Sequence, residues 1–201
     1  ITGGTLNYGA FDDCCHITKI TLPSGIEVIE PMSFYGCEAL EEVNISGVTS
    51  IGEKAFYNCK SLIELTVPDS LVSVGEKAFE GSQIGKVSVS SLDKWLSIDF
   101  ANESASLIYG APLYINGEEI SGVVVLPTDI TTISAGAFYG CDKITSINIP
   151  SNIEVILGGA FRKCKALRDV TFNDGLKSIE YDAFRESGIE TFVAPSTLET
   201  I

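Results

Sequence analysis

A repeated phrase constrains the fold of this 201-residue chain more than any other feature. Its clearest copy runs from Ala55 to Pro68 and reads Ala-Phe-x-x-Cys-x-x-Leu-x-x-Leu-x-Val-Pro. A period in the twenties with a Leu-x-x-Leu-x-Leu core is typical of a leucine-rich repeat solenoid. Because a solenoid stacks its turns along one axis, its function usually lies on a surface rather than in a pocket. The phenylalanine returns in steps of 23, 22, 23, 59, 23 and 23 residues, at Phe11, Phe34, Phe56, Phe79, Phe138, Phe161 and Phe184.

Each repeat carries an alternating apolar pair, such as Val43/Ile45, Leu65/Val67 or Ile147/Ile149. Alternation is the period of a strand, so each pair predicts a short strand with these side chains pointing inward. A proline often follows the pair and ends the strand, because it lacks an N–H donor. The sequence therefore predicts an α/β-type repeat solenoid with little regular helix. Its one parallel sheet has about eight short strands, with inward pairs running from Leu22 to Ala194.

The step of 59 residues marks an interruption. The residues Leu92, Trp95 and Phe100 continue the repeat in the positions of Val48, Ile51 and Phe56, and the pattern then lapses until Val124. Within the lapse, the pair Asn116-Gly117 lies between apolar residues, which is a strong β-hairpin signal. We expect one solenoid over residues 1–201, with residues 101–122 forming a loop and a hairpin that projects from it.

The ends of the chain and its composition indicate what kind of domain this is and which partners are excluded. No polar capping repeat is visible at either end, so the chain is expected to be a fragment of a longer protein. A hydrophobic content of 45% predicts an ordered domain, while no run is long and apolar enough to insert in a membrane. The net charge of −14 argues against nucleic acid as a partner, since phosphate binding needs a basic stripe.

Five of the six cysteines lie three residues after a repeated phenylalanine, at Cys14, Cys37, Cys59, Cys141 and Cys164. Serine takes the same position at Ser82 and Ser187. Stacked turns bring these cysteines within the Cα spacing of a disulfide, but parallel side chains do not point at one another. The pattern favours buried free thiols over bridges, and Cys15 lies outside the series as the expected exposed thiol.

Catalytic and metal chemistry find little support in the sequence. The one histidine, His16, lies beside Cys14 and Cys15, and a Cys–His pair can form a nucleophile. However, Cys14 occupies the repeated packing position, which favours an ordinary surface histidine. The cysteines recur once per repeat rather than at the close spacing of metal ligands. We expect no catalytic residue, no metal and no cofactor.

If the chain binds a partner, the strand face and the hairpin are the candidate binding surfaces. Residues that alternate with the inward pairs point outward at regular spacing, although an ordinary solvated sheet face has the same short polar composition. The more distinctive aromatic candidates are Trp95, Tyr109 and Tyr114; because Trp95 holds a core-type position, Tyr114 in the hairpin is a better contact candidate. The candidate partner-binding residues are Lys19, Glu42, Asn44, Glu64, Thr66, Lys86, Tyr114, Glu118, Asn148, Asp169 and Thr171.

The whole chain resembles the BspA-like leucine-rich repeats, a family of bacterial surface proteins. The resemblance rests on Ile-Gly-x-x-Ala-Phe-x-x-Cys, read at residues 51–59, and on the strand-proline unit at residues 147–150. The interruption, with Ser-Leu-Asp-Lys-Trp at 91–95 and Pro-Leu-Tyr-Ile-Asn-Gly-Glu at 112–118, resembles a variant of the same family. The chain departs from the family pattern at Ser33 and at Gly158-Gly159.

The resemblance implies a secreted or surface-displayed bacterial module for adhesion or binding, without enzymatic activity. Its partner would be an extracellular protein or glycan, with no nucleic acid and no membrane insertion. The alternative is a passive stalk or spacer that presents other domains of a larger surface protein. The insertion favours recognition, because a spacer needs no projection.

Overall fold

The computed structural model describes residues 3–108 and 111–201, so the candidate aromatic Tyr109 lies outside the described residues. The chain coils into a solenoid of about eight turns with almost no helix, which confirms the predicted fold class. The strands are β1 (Gly4–Leu6), β2 (Lys19–Thr21), β3 (Ile26–Ile29), β4 (Glu42–Asn44), β5 (Ser50–Ile51), β6 (Glu64–Thr66), β7 (Ser73–Val74), β8 (Lys86–Val89), β9 (Asp99–Phe100), β10 (Leu113–Ile115), β11 (Glu118–Glu119), β12 (Gly122–Val125), β13 (Thr132–Ile133), β14 (Ile144–Ile149), β15 (Val155–Ile156), β16 (Asp169–Phe172) and β17 (Ser178–Ile179). One short helix, α1 (Leu92–Leu96), and a 3-10 turn, Glu103–Ala105, lie in the interruption.

The predicted strands form a row along one face of the solenoid, which we call the strand face. The row consists of three hydrogen-bonded segments rather than one sheet: β2–β4, then β6–β8–β10–β11, then β12–β14–β16. Leu65 pairs with Val87 in parallel register, as the inward pairs predict. The last expected strand is absent, since residues 190–199 form no strand, and Phe192 and Ala194, which were expected to point inward, are exposed.

A second row of strands, on the return limbs, was not predicted. It consists of β1–β3–β5–β7–β9 and β13–β15–β17, and all its pairs are parallel. Most of these strands have two residues, too few to show an alternating pattern in the sequence. Phe100 pairs with Val74 in this row, so its assignment to the position of Phe56 was wrong.

The interruption forms the expected hairpin but does not project from the solenoid. Strand β10 adds to β8 in parallel register, with Tyr114 opposite Ser88, and β11 folds back antiparallel to β10. The residues around it are buried, because the segment is rich in apolar side chains that would otherwise meet water. The apolar residues of this segment with at most 5% exposure are Ala105, Leu107, Ile108, Ala111 and Leu113.

The core is a ladder of stacked side chains, one set per turn. Consecutive phenylalanine rings of the first four repeats have centroids 4.8–5.4 Å apart, and the last three are 5.0 and 5.1 Å apart. Trp95 comes between these two groups of phenylalanines in the sequence. Its side chain is fully buried, as its core-type position predicts.

The thiol at the repeated cysteine position donates a hydrogen bond as well as filling space. Cys59 Sγ lies 3.2 Å from the carbonyl oxygen of Phe34 in the preceding turn. At the same position, Ser82 Oγ lies 2.6 Å from the carbonyl oxygen of Phe56. Burial raises the pKa of Cys59 to about 12, so this thiol stays protonated and able to donate. All six cysteines are free, and Cys15 is exposed.

A substitution series at Cys59 separates the hydrogen bond from simple packing. We expect Cys59→Ser to change the free energy of unfolding by less than about 1 kcal/mol, because serine replaces the donor. Cys59→Ala should cost about 1–2 kcal/mol, since it removes the packed sulfur and one of the two hydrogen bonds that the Phe34 carbonyl accepts, the other coming from the Cys37 N–H. Urea denaturation of both variants measures the difference. Equal losses for serine and alanine would show that the hydrogen bond is unimportant.

Candidate functional site

A groove runs along the strand face of the first repeats, at the carboxyl ends of the strands. Its volume is about 780 Å³. Asn44, Thr66 and Ser88 contribute outward side chains from β4, β6 and β8, and Asn116-Gly117 of the hairpin closes one end. The backbone N–H of Asn116 donates to the carbonyl of Val89, which fixes the hairpin turn against the end of β8. The hairpin and the strand face, predicted as separate candidates, therefore form one site.

The groove offers amide and hydroxyl groups and the carboxylate of Asp69 over a partly apolar floor. The side-chain oxygen of Asn44 accepts from the backbone N–H of Ser46, and Ser90 Oγ donates to Asp69 at 2.6 Å. In the described part of the chain, the hydroxyl of Thr66 and the side-chain amide of Asn116 make no hydrogen bond. Amide and hydroxyl groups of this kind can bind peptide main chain or sugar hydroxyls, while the apolar floor excludes water.

A second depression of about 460 Å³ continues the groove toward β2 and shares Asn44 and Thr66 with it. Its charged candidates are paired between turns, since Lys19 contacts Glu42 and Lys86 Nζ lies 2.8 Å from Glu64 Oε1. The hydrogen bond from Lys86 lowers the pKa of Glu64. Consequently these charges are largely compensated on the surface.

Tyr114 lies beside the groove on the same face as Ser88 and is half-buried. Lys86 Nζ is 5.0 Å from the centre of its ring, a cation–π distance. One face of the ring is thus already covered, which limits its use as a stacking platform. Glu118 is exposed on β11 opposite Ile115, while Glu119 is the residue opposite Tyr114.

The remaining candidates lie elsewhere on the strand face. Asn148, Asp169 and Thr171 are exposed on β14 and β16. These strands lie beyond the break between β11 and β12, and the three residues line no part of the groove. The amide of Asn173 donates to Asn148 Oδ1 at 2.7 Å. The structure therefore separates these three residues from the eight candidates near the hairpin and the first repeats.

Sequence reasoning missed two features of the strand face. Part of the groove is built from Ser46, Asp69 and Ser90, polar residues that lie one to three positions beyond the ends of β4, β6 and β8. In addition, Val123 and Val125 on β12 are 70% and 80% exposed, an apolar pair on an otherwise polar face. Their position in the outward series was visible in the sequence, but outward valines in a short strand carry no distinct signal.

The described residues assemble no catalytic or metal constellation. His16 and Cys15 are exposed, and no hydrogen bond links His16 to Cys14 among the described residues. No group of three or more metal-ligating side chains occurs in residues 3–108 and 111–201. Within the same residues, no helix has the length and apolar character needed to cross a bilayer.

Comparison with known proteins identifies the family. A profile of the BspA type leucine-rich repeat region matches six copies over residues 4–107 and 119–201. The chain belongs to the BspA-type leucine-rich repeat family. The gap in the match falls on the hairpin strand β10 and its flanks, the segment that departs from the regular repeat.

Solved structures agree with this assignment. A leucine-rich repeat protein from Bacteroides ovatus is 26% identical, with a TM-score of 0.68 over 96% of this chain and 47% of that one. The pneumococcal vaccine antigen PcpA shares the fold, with 15% identity and a TM-score of 0.50 over 98% of this chain and 63% of that one. The chain thus spans about half the length of the Bacteroides ovatus protein. No protein of curated function gives a significant match.

Proposed function

We propose that this BspA-type chain is a non-enzymatic recognition module that binds an extracellular protein or glycan through the groove on its strand face. The observation that carries the proposal is the joint construction of the groove by the regular repeats and the inserted hairpin. A spacer needs only the stacked core, whereas the hairpin turn at Asn116-Gly117 adds a wall to a concave polar surface. Most of the groove lies on one hydrogen-bonded segment, β6–β8–β10–β11, so little ordering entropy opposes binding there.

The family supports a location at the bacterial cell surface, as the resemblance to surface proteins implies. The high thiol pKa values fit a packing role for the cysteines there, because burial raises the pKa of Cys37 to about 11 and that of Cys164 to about 12. Thiols that remain protonated react slowly with oxidants and disulfides.

A passive spacer is the second candidate. It is favoured by the compensated ion pairs on the strand face, which are common on any solvated sheet. The two candidates differ in a measurable way, because a spacer has no saturable ligand.

A screen against extracellular-matrix proteins and glycans distinguishes them, using the intact chain and a groove variant. We expect saturable binding by the wild type and a loss of at least about tenfold in affinity for Thr66→Arg, since a long charged side chain would fill the groove. Thr131→Arg places the same side chain at an exposed position outside the groove and should bind normally. Absence of saturable binding, or equal binding by both variants, would favour the spacer or a different surface.

A further inference from the structure

The solenoid is divided by a seam, the boundary between strands β1–β11 and strands β12–β17. We call the part before it the N-terminal block and the part after it the C-terminal block. Both strand rows stop at the seam, since β9 does not pair with β13 and neither β10 nor β11 pairs with β12. Among the described residues, no backbone–backbone hydrogen bond joins the two blocks.

Regular turns are joined very differently. Between the second and third repeats, the backbone N–H groups of Met32, Phe34 and Gly36 donate to carbonyls of the next turn at 2.8–3.0 Å. The return limbs add further bonds, such as Gly52 N–H to the carbonyl of Ile29 at 2.8 Å. Each ordinary junction therefore carries a ladder of main-chain bonds in addition to its packed side chains.

At the seam, side-chain donors replace the missing main-chain donors. Trp95 Nε1 donates to the carbonyl of Ala137 at 2.8 Å, the position that accepts from a phenylalanine N–H in regular repeats. Ser106 Oγ donates to the carbonyl of Gly136 at 2.8 Å, and Ser134 Oγ lies 2.9 Å from the carbonyl of Ile98. The three donor side chains are buried, which explains why each needs a partner.

One ion pair closes the outer side of the seam. Arg162 Nη1 lies 2.9 Å from Glu103 Oε1 and 3.2 Å from Asp182 Oδ2. All three side chains are at most 30% exposed. On the strand face, Lys143 also contacts Glu119 across the seam, at an exposed position where an ion pair contributes little.

We propose that the seam makes the chain two cooperative units, so that the C-terminal block opens without the N-terminal block. In a solenoid, stability is close to a sum of the stability of each turn and the coupling between neighbouring turns. The coupling is weakest where the main-chain ladder is absent, so the cooperative transition divides there. The C-terminal block has fewer turns than the N-terminal block and should open at the lower denaturant concentration.

The division has a consequence for the recognition groove. Asn44, Thr66, Ser88 and the Asn116-Gly117 turn all belong to the N-terminal block. The groove therefore persists when the C-terminal block opens. Conversely, Val123 and Val125 belong to the C-terminal block, so a partner that contacts both the groove and these valines would hold the seam closed.

Native-state hydrogen exchange on the intact chain in increasing urea tests the proposal. We expect the slowest amides of β6 and β8 to share one stability and those of β14 and β15 to share a lower one. The single tryptophan lies at the seam, so its fluorescence should change together with exchange in the C-terminal block. A single common stability for all slow amides, with coincident fluorescence, would overturn the proposal.

A matched pair of serine variants tests whether the difference in stability between the two blocks arises at the seam. Ser134→Ala removes a seam hydrogen bond, and Ser33→Ala removes a similar buried bond inside the N-terminal block, from Ser33 Oγ to the carbonyl of Glu30 at 2.7 Å. Ser134→Ala should speed exchange in the C-terminal block about five- to tenfold and leave β6 and β8 unchanged. Ser33→Ala should speed exchange in the N-terminal block. If Ser134→Ala speeds exchange equally in both blocks, the seam does not divide the chain.

Discussion

Phe56→Ala is expected to lower the free energy of unfolding by about 3–5 kcal/mol, since it removes a fully buried ring and leaves a cavity. The ring stacks between Phe34 and Phe79, with centroids 4.9 and 4.8 Å away. Both neighbours are held in their own turns and cannot collapse into the space. The loss falls on the transition of the N-terminal block, whose melting temperature should drop by roughly 10 °C or more.

Tyr57→Ala is the matched control for this prediction. Tyr57 follows Phe56 in the chain and also stacks between turns, with its ring 5.0 Å from that of Tyr35, but it is only half-buried. We expect this variant to lose about 1 kcal/mol. Thermal and urea denaturation of the two variants measure the contrast. Equal losses would mean that the phenylalanine stack does not dominate the stability of the solenoid.

Gly136→Lys should destabilise the chain by about 2–3 kcal/mol, through overpacking against the insertion. Residues two before the phenylalanine adopt positive φ, at 52° for Lys54 and 62° for Gly136. Lysine is therefore acceptable in this backbone conformation where the outer side is open. At Gly136, a Cβ atom would lie 2.8 Å from Cβ of Ser106, in the segment that packs over this turn.

The reciprocal substitution Lys54→Gly separates backbone strain from packing. Glycine adopts positive φ without steric cost, so this variant should change stability by less than about 1 kcal/mol. Denaturation midpoints of both variants give the comparison. If Gly136→Lys is as mild as Lys54→Gly, the insertion does not pack over the turn as the structure shows.

The same packing explains a departure from the family pattern that the sequence could show but not interpret. At Gly159, φ is +65° and a Cβ atom would lie 2.9 Å from Cβ of Glu103. Glycine is required in the two turns covered by the insertion, whereas four other turns hold a larger residue at this position: Met32, Lys54, Lys77 and Asp182. The sequence displays these glycines, but the contact joins residues far apart along the chain.

The solenoid and the inward pairs were predictable because their physics is local and repeated. An apolar residue at Leu65 or Val87 recurs in a fixed register, and stacking follows from that register alone. The second row of strands was not predictable, because two-residue strands such as Ser50–Ile51 are defined by pairing with neighbouring turns rather than by a pattern.

The candidate site was predicted in part for the same reason. The outward positions of Asn44 and Thr66 follow from strand alternation, and the Asn-Gly pair predicts the hairpin. The meeting of these elements at one groove depends on how β10 adds to β8, which no local signal specifies. The prediction that residues 101–122 project from the solenoid was wrong for the same reason. Apolar residues in an irregular segment do not reveal what they will pack against.

The measurement that most directly tests the recognition groove is amide hydrogen exchange with and without the strongest ligand from the screen. We expect the ligand to slow exchange at the strand ends and in the hairpin turn, around residues 44–46, 66–69, 88–90 and 116–117. Protection confined to the return limbs, or to the turns that contain the phenylalanines, would show that the recognition surface lies elsewhere.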